Sequence, residues 1–167
     1  MREKKQHIIV MSQARLQVMS YYNEFKKGSR WNEEGLPLYV ISIVGQWSMP
    51  RDFGEFPEGS KMLLLEFEDV IRGNGKMTDN DAEAVWDFVE EALDKDVLLV
   101  VHCEEGVSRS AAIGIAIAEQ YPNSDVSWLE YGIVNVDGLK IQRDKEFGLH
   151  NGMHPNSHVL NLMRLYA

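Results

Sequence analysis

The chain holds a single cysteine in 167 residues, so no disulfide can close within it. Zinc sites built from several thiolates are excluded as well. No apolar run approaches the roughly 20 residues that a membrane helix needs. The opening MREKKQH is basic, yet no apolar segment follows it as in a secretory leader. Positive charge is scarce: 17 Lys and Arg stand against 26 Asp and Glu, for a formal net charge of −9. That balance argues against broad binding to nucleic acid, which favours a basic face. Any anionic ligand must be held by a local positive field set against the global one. With the lone thiol, these absences lead to the expectation of a cytoplasmic protein that binds neither membrane nor nucleic acid.

What is present is ordinary globular composition, 44% apolar and 26% charged, enough for one sizeable core and one domain spanning 1–167. Four short Val/Ile/Leu-rich runs read as strands buried on both faces: HIIVM (7–11), LYVISIV (38–44), KMLLLEF (61–67) and VLLVVH (97–102). Helical period fills the gaps. SQARLQVMSYYNEFKK (12–27) starts at a capping Ser12 and stops at Gly28. Residues 78–95 start with Thr78 and Asp81 in capping-box spacing, and Val85, Trp86, Val89, Ala92 and Leu93 share a face. Residues 108–121 are small and apolar nearly all round, which predicts a buried helix ending before Pro122. A last helix is predicted from about Asn156 to Tyr166. Segments 49–60 and 70–77 read as loops, and 122–155 as a short strand with irregular chain. Strands alternating with helices predict an α/β fold, a largely parallel central sheet of four to five strands flanked by helices.

The chemistry concentrates in VVHCEEGVSRSAA (100–112). A helix beginning near Ser108 turns its free N–H groups and positive dipole end toward the loop before it. Gly106 lets that backbone curl so that successive amides converge on an anion. Cys103 at the head of such a cup is expected to be held as a thiolate. Arg109 closes the cup with a planar fork matched to two phosphate oxygens. The arrangement suits attack of Cys103 on phosphorus, with the amides of Glu104, Glu105, Gly106, Val107 and Ser108 and the Arg109 guanidinium holding the oxygens. The glutamate side chains radiate outward in such a loop.

The pattern His-Cys-x-x-Gly-x-Ser-Arg-Ser resembles the signature of the cysteine-dependent protein tyrosine and dual-specificity phosphatases, most of all their compact bacterial and phage type. LLLEFEDV, the helix from Thr78, VLLVVHC and the terminal HPNSHVLNLM extend the resemblance over roughly 8–121 and 155–166. It implies that His102 orients the cysteine, that Ser110 donates to the thiolate and helps it leave, and that Ser108 braces the loop. It also implies that Asp69 protonates the leaving group and then activates water. Glu68, Asp79 and Asp81 stand as alternative acids, the last two better placed as helix-start residues. No metal or cofactor is implied, and the partner expected is a phosphorylated protein or peptide. An RNA 5′-phosphatase and a non-catalytic phosphoprotein-binding module are the rival readings. A thiol-relay reductase would need a second cysteine. Glu104 and Glu105 differ from the lysines of phosphoinositide-phosphatase loops, which disfavours an inositol lipid.

Other candidates have plainer explanations. His150, His154 and His158 stand four apart, a metal stripe if helical, but Gly152 and Pro155 break that helix. Trp31, Trp47, Tyr21 and Tyr22 are candidates to frame a phosphotyrosine ring, although aromatics are usually core. Arg51 and Arg72 lie on loops and read as solvated charge.

Overall fold

The structure, a computed structural model, describes residues 6–45, 53–129, 135–137 and 154–167. Its frame is one sheet in the order β3-β2-β4-β1-β5-β6. The strands are β1 (His7–Ser12), β2 (Leu38–Val44), β3 (Lys61–Glu66), β4 (Leu98–Cys103), β5 (Asp125–Trp128) and β6 (Asn135–Asp137). The first five run parallel, and β6 adds an antiparallel edge to β5. Five parallel strands meet the expected architecture. β5 and β6 supply the strand content of 122–155, the remainder of which lies mostly outside the described residues.

The near-continuous apolar strands follow from helices packing on both faces. Alternation along β1 sends Ile8 and Val10 to one core and Ile9 and Met11 to the other. The first core is closed by α2 (Asp79–Leu93), α3 (Arg109–Gln120) and α4 (Ser157–Leu165). The second is closed by α1 (Gln13–Tyr21), through Leu16 and Met19, together with Phe25 and Phe53. Thr78 caps α2 in a complete capping box with Asp81, and Val85, Trp86, Val89 and Ala92 are buried. Ser12 caps α1 through Arg15 N–H.

α1 ends at Tyr21, six residues short of the predicted Lys27. Asn23 turns into the left-handed region at φ 54°, which stops the helix. The chain that follows is organised by the buried amide of Asn32. Its Nδ2 donates to the carbonyls of Phe25 and Leu36, and its Oδ1 accepts from Leu36 N–H.

Parallel pairing places the carboxyl ends of β1, β2 and β4 side by side, with Ser12 opposite Cys103 and Ser42 opposite His102. This edge is where α/β sheets present their ligand sites. α4, seated on the first core, is held from three points. Trp86 Nε1 donates to the Met163 carbonyl at 2.9 Å, the His158 ring meets the Met77 carbonyl at 2.8 Å, and Asn156 reaches the loop after β3.

Candidate active site

Cys103 ends β4 and is buried. The next five residues turn sharply, with Gly106 at φ 77°, where a side chain would be strained. That turn brings the Gly106 N–H back onto Cys103 Sγ at 3.2 Å, while Ser110 Oγ, in the first turn of α3, lies 3.2 Å from the same sulfur. Two polar groups therefore converge on one thiol at the head of a helix.

Arg109 is 6% exposed. Its Nη1 donates to the Phe67 carbonyl at 2.8 Å, which fixes the plane of the fork against the segment following β3. Its Nη2 lies 3.9 Å from Glu104 Oε1. Nε is buried and meets no hydrogen-bond partner among the described residues. A buried, unsatisfied donor on a cation is costly, so an anion that reaches it is bound with corresponding strength.

His102 lies behind the cysteine, fully buried. Nε2 is 2.7 Å from Ser42 Oγ and Nδ1 is 3.4 Å from the Cys103 carbonyl. Burial lowers its pKa to about 4, and the nearby Arg109 charge pushes in the same direction, against the raising effect of the Cys103 carbonyl. The ring is therefore neutral near pH 7 and orients its neighbours without carrying charge. The edge of Phe53 rests on it, with ring centroids 5.2 Å apart.

Asp69 follows β3 and borders the same cleft of about 270 Å³ as Cys103, Glu104, Glu105, Val107, Ser108 and Arg109. Its Oδ1 accepts from Ser108 Oγ at 2.6 Å and from Asn156 Nδ2 at 2.9 Å. Asn156 also donates to the Val70 carbonyl at 3.2 Å, caps α4 by accepting from Val159 N–H at 3.1 Å, and gives its own N–H to the Ser108 carbonyl at 3.2 Å. One buried residue thus ties α4, the Asp69 loop and the cysteine loop together. Ser108, expected to brace its loop, also anchors Asp69, and it makes no side-chain cap to α3.

Of the residues singled out from sequence, Cys103, Asp69, Arg109, Ser108, Glu104, Glu105 and Val107 border the cleft, with Gly106 and Ser110 bonded to the sulfur and His102 behind it. Glu68 also borders it, whereas Asp79 and Asp81 open α2, Asp81 completing the capping box. Tyr21 and Tyr22 do not frame it. They are exposed and flank a separate hollow of about 520 Å³ with Val18 and Phe53. Trp31 packs against the second core, and Arg72 is exposed away from the cleft lining. Trp47, Arg51 and His150 lie outside the described residues. His158 is engaged with Met77, and no group of three metal-type side chains occurs among the described residues. Ser42, Phe53 and the tethering role of Asn156 were not anticipated. The Asn-x-x-Val spelling at 156–159 was the only signal for the last.

No protein-family model matches the sequence, and no curated protein matches it either. Solved structures do match. The human tyrosine phosphatase-like serine/threonine/tyrosine-interacting protein shares 18% identity over 93% of this chain and 84% of its own, with a TM-score of 0.50. Cydia pomonella PTP-2 phosphatase shares 17% over 96% and 85%, with a TM-score of 0.55. Tk-PTP in its active form shares 13% over 98% and 92%, with a TM-score of 0.53. At such identities the likeness establishes the fold, an α/β sheet shared with phosphatases.

Proposed function

We propose that this chain is a protein phosphatase that hydrolyses phosphotyrosine, with phosphoserine and phosphothreonine as the wider range, through a phosphocysteine intermediate and without metal. The observation that carries the reading is the buried Arg109 with an unsatisfied Nε beside a sulfur that already gathers two polar contacts. A phosphate dianion supplies oxygens for the guanidinium and the loop amides and brings phosphorus to the thiolate. The fold shared with phosphatases supports the reading.

In the first step Cys103 Sγ forms a bond to phosphorus as the ester P–O bond breaks, and Asp69 delivers a proton to the departing oxygen. In the second, Asp69 takes a proton from water, the water oxygen attacks phosphorus, and the S–P bond breaks to release phosphate. Ser110 donates to the leaving thiolate. His102, neutral and held by Ser42, keeps the end of β4 in place. The amides of 104–108 and Arg109 take up the charge that develops on the equatorial oxygens, so the chemistry requires no metal. A phosphorylated protein or peptide in the cytoplasm is the substrate, consistent with a lone, unbridged thiol.

The test is release of phosphate from an aryl phosphate by purified protein in the presence of chelator. Turnover that is abolished by Cys103→Ser supports the reading. Turnover unaffected by that change overturns it, and binding of phosphopeptide without turnover returns the chain to the non-catalytic alternative.

A further inference from the structure

The cysteine loop is shaped from outside, through its carbonyls. The Glu104 carbonyl accepts from the Gln13 N–H at the start of α1 at 3.2 Å. The Val107 carbonyl accepts from the His154 N–H at 2.9 Å, and the Ser108 carbonyl from the Asn156 N–H at 3.2 Å. The Cys103 carbonyl faces His102 Nδ1 at 3.4 Å. C=O and N–H point oppositely across a trans peptide, so each held carbonyl turns the next residue's N–H away from the flanking partner. Amides turned in this way, with the Gly106 N–H already directed at Cys103 Sγ, make the concave set of donors that an anion needs.

Three of these holds are backbone groups. The fourth is a side chain, and its power to donate depends on where one proton sits. The His102 ring is neutral near pH 7, and only the form protonated on Nδ1 can donate to the Cys103 carbonyl. Nε2 is then a bare lone pair, 2.7 Å from Ser42 Oγ, so the hydroxyl must donate to it. The opposite tautomer would set the Nδ1 lone pair against the carbonyl oxygen. Register places Ser42 beside His102 across β2 and β4. Both residues are buried, and the edge of Phe53 rests on the ring, so solvent does not replace the hydroxyl. We propose that Ser42 is a positioning residue for the phosphate cup: its hydroxyl holds His102 as the Nδ1–H tautomer, and that N–H fixes the Cys103 carbonyl and with it the first amide of the loop, that of Glu104. This rests on the loop being a phosphate cup, as the phosphatase reading has it.

The experiment has two arms, both at neutral pH on the full chain. Nitrogen-15 NMR of the wild type reads the tautomer directly, and a proton on Nδ1 with a bare Nε2 is expected. A proton on Nε2 overturns the proposal whatever the variants do. In the second arm, Ser42→Ala binds inorganic phosphate more weakly by about threefold to tenfold, the worth of one hydrogen bond. Its kcat/KM on an aryl phosphate falls by a similar factor, and Ser42→Thr, which keeps the hydroxyl, restores both. Wild-type phosphate affinity in Ser42→Ala, or a threonine variant as impaired as the alanine one, overturns the proposal. Phosphate binding that weakens in Ser42→Ala, with no aryl phosphate turnover by the wild type, defeats the phosphatase reading and leaves the proposal standing. Normal turnover that Ser42→Ala leaves unchanged does the reverse. A wild type that neither binds phosphate nor turns over the ester defeats both.

Discussion

Replacing Asn156 by aspartate separates its two duties. Asparagine and aspartate cap helices about equally well, so the acceptor that satisfies Val159 N–H at 3.1 Å survives the change. The donor does not: a carboxylate oxygen now stands where Nδ2 gave its proton to Asp69 Oδ1 at 2.9 Å and to the Val70 carbonyl at 3.2 Å. Asp69 loses one of two anchors and gains a like charge, so it leaves its place beside the cysteine loop. A positioned general acid is worth about a hundredfold to ten-thousandfold, and a misplacement of about 1 Å can forfeit a hundredfold. Asn156→Asp should therefore lower kcat by about tenfold to a hundredfold. The assay is a series of aryl phosphates whose leaving groups differ in basicity. The loss should grow with basicity, because the most basic leaving groups depend most on the proton. Asn156→Ala removes the cap as well, adding about 1 kcal/mol to the loss of a hydrogen bond to a charged group at about 1.5–3 kcal/mol. Denaturant unfolding should show that variant roughly 2.5–4 kcal/mol less stable than wild type. Wild-type turnover by Asn156→Asp across the series, or an equal loss with every leaving group, would refute the reasoning.

Two further outcomes concern the frame around the site. Gly114 lies inside α3, where a Cβ would come 2.7 Å from Val10 Cγ2 and 3.3 Å from the Trp128 ring. Gly114→Ala should therefore cost about 1–3 kcal/mol in denaturant unfolding, and an equally stable variant would contradict the close seat of α3 on β1. His102 stays neutral in the folded protein down to about pH 4 and protonates near 6.5 once unfolded. The unfolded chain binds more protons across that window, so the ring's contribution is whole above 6.5 and is lost as pH falls toward 4, by roughly 3 kcal/mol. Its imidazole signals should remain those of a neutral ring at pH 5.5, and an imidazolium there would contradict the burial argument.

The parts legible in the sequence share a physical cause, locality. LYVISIV was readable as β2 because burial on both faces leaves no polar residue but Ser42, and that serine proves to be the partner of His102. Cys103, Gly106, Arg109 and Ser110 were readable together because one strand-to-helix turn holds them all. The end of α1 was misjudged because YYNEFKK contains no strong breaker before Gly28. What stops the helix is Asn23, in a chain whose continuation is held by the distant-acting Asn32 amide. The tether of Asp69 was hidden for the same reason, since Asn156 lies 87 residues away in sequence. Spelling marks Asn156 as a helix cap, and only folding brings it to the carboxylate.

The most direct measurement is the mass of the Cys103 peptide from protein quenched in acid during turnover of an aryl phosphate. The account predicts one phosphoryl group on that sulfur, gone when substrate is exhausted and never formed in Cys103→Ser. Phosphate carried by any other residue, or steady turnover in the serine variant, would contradict it.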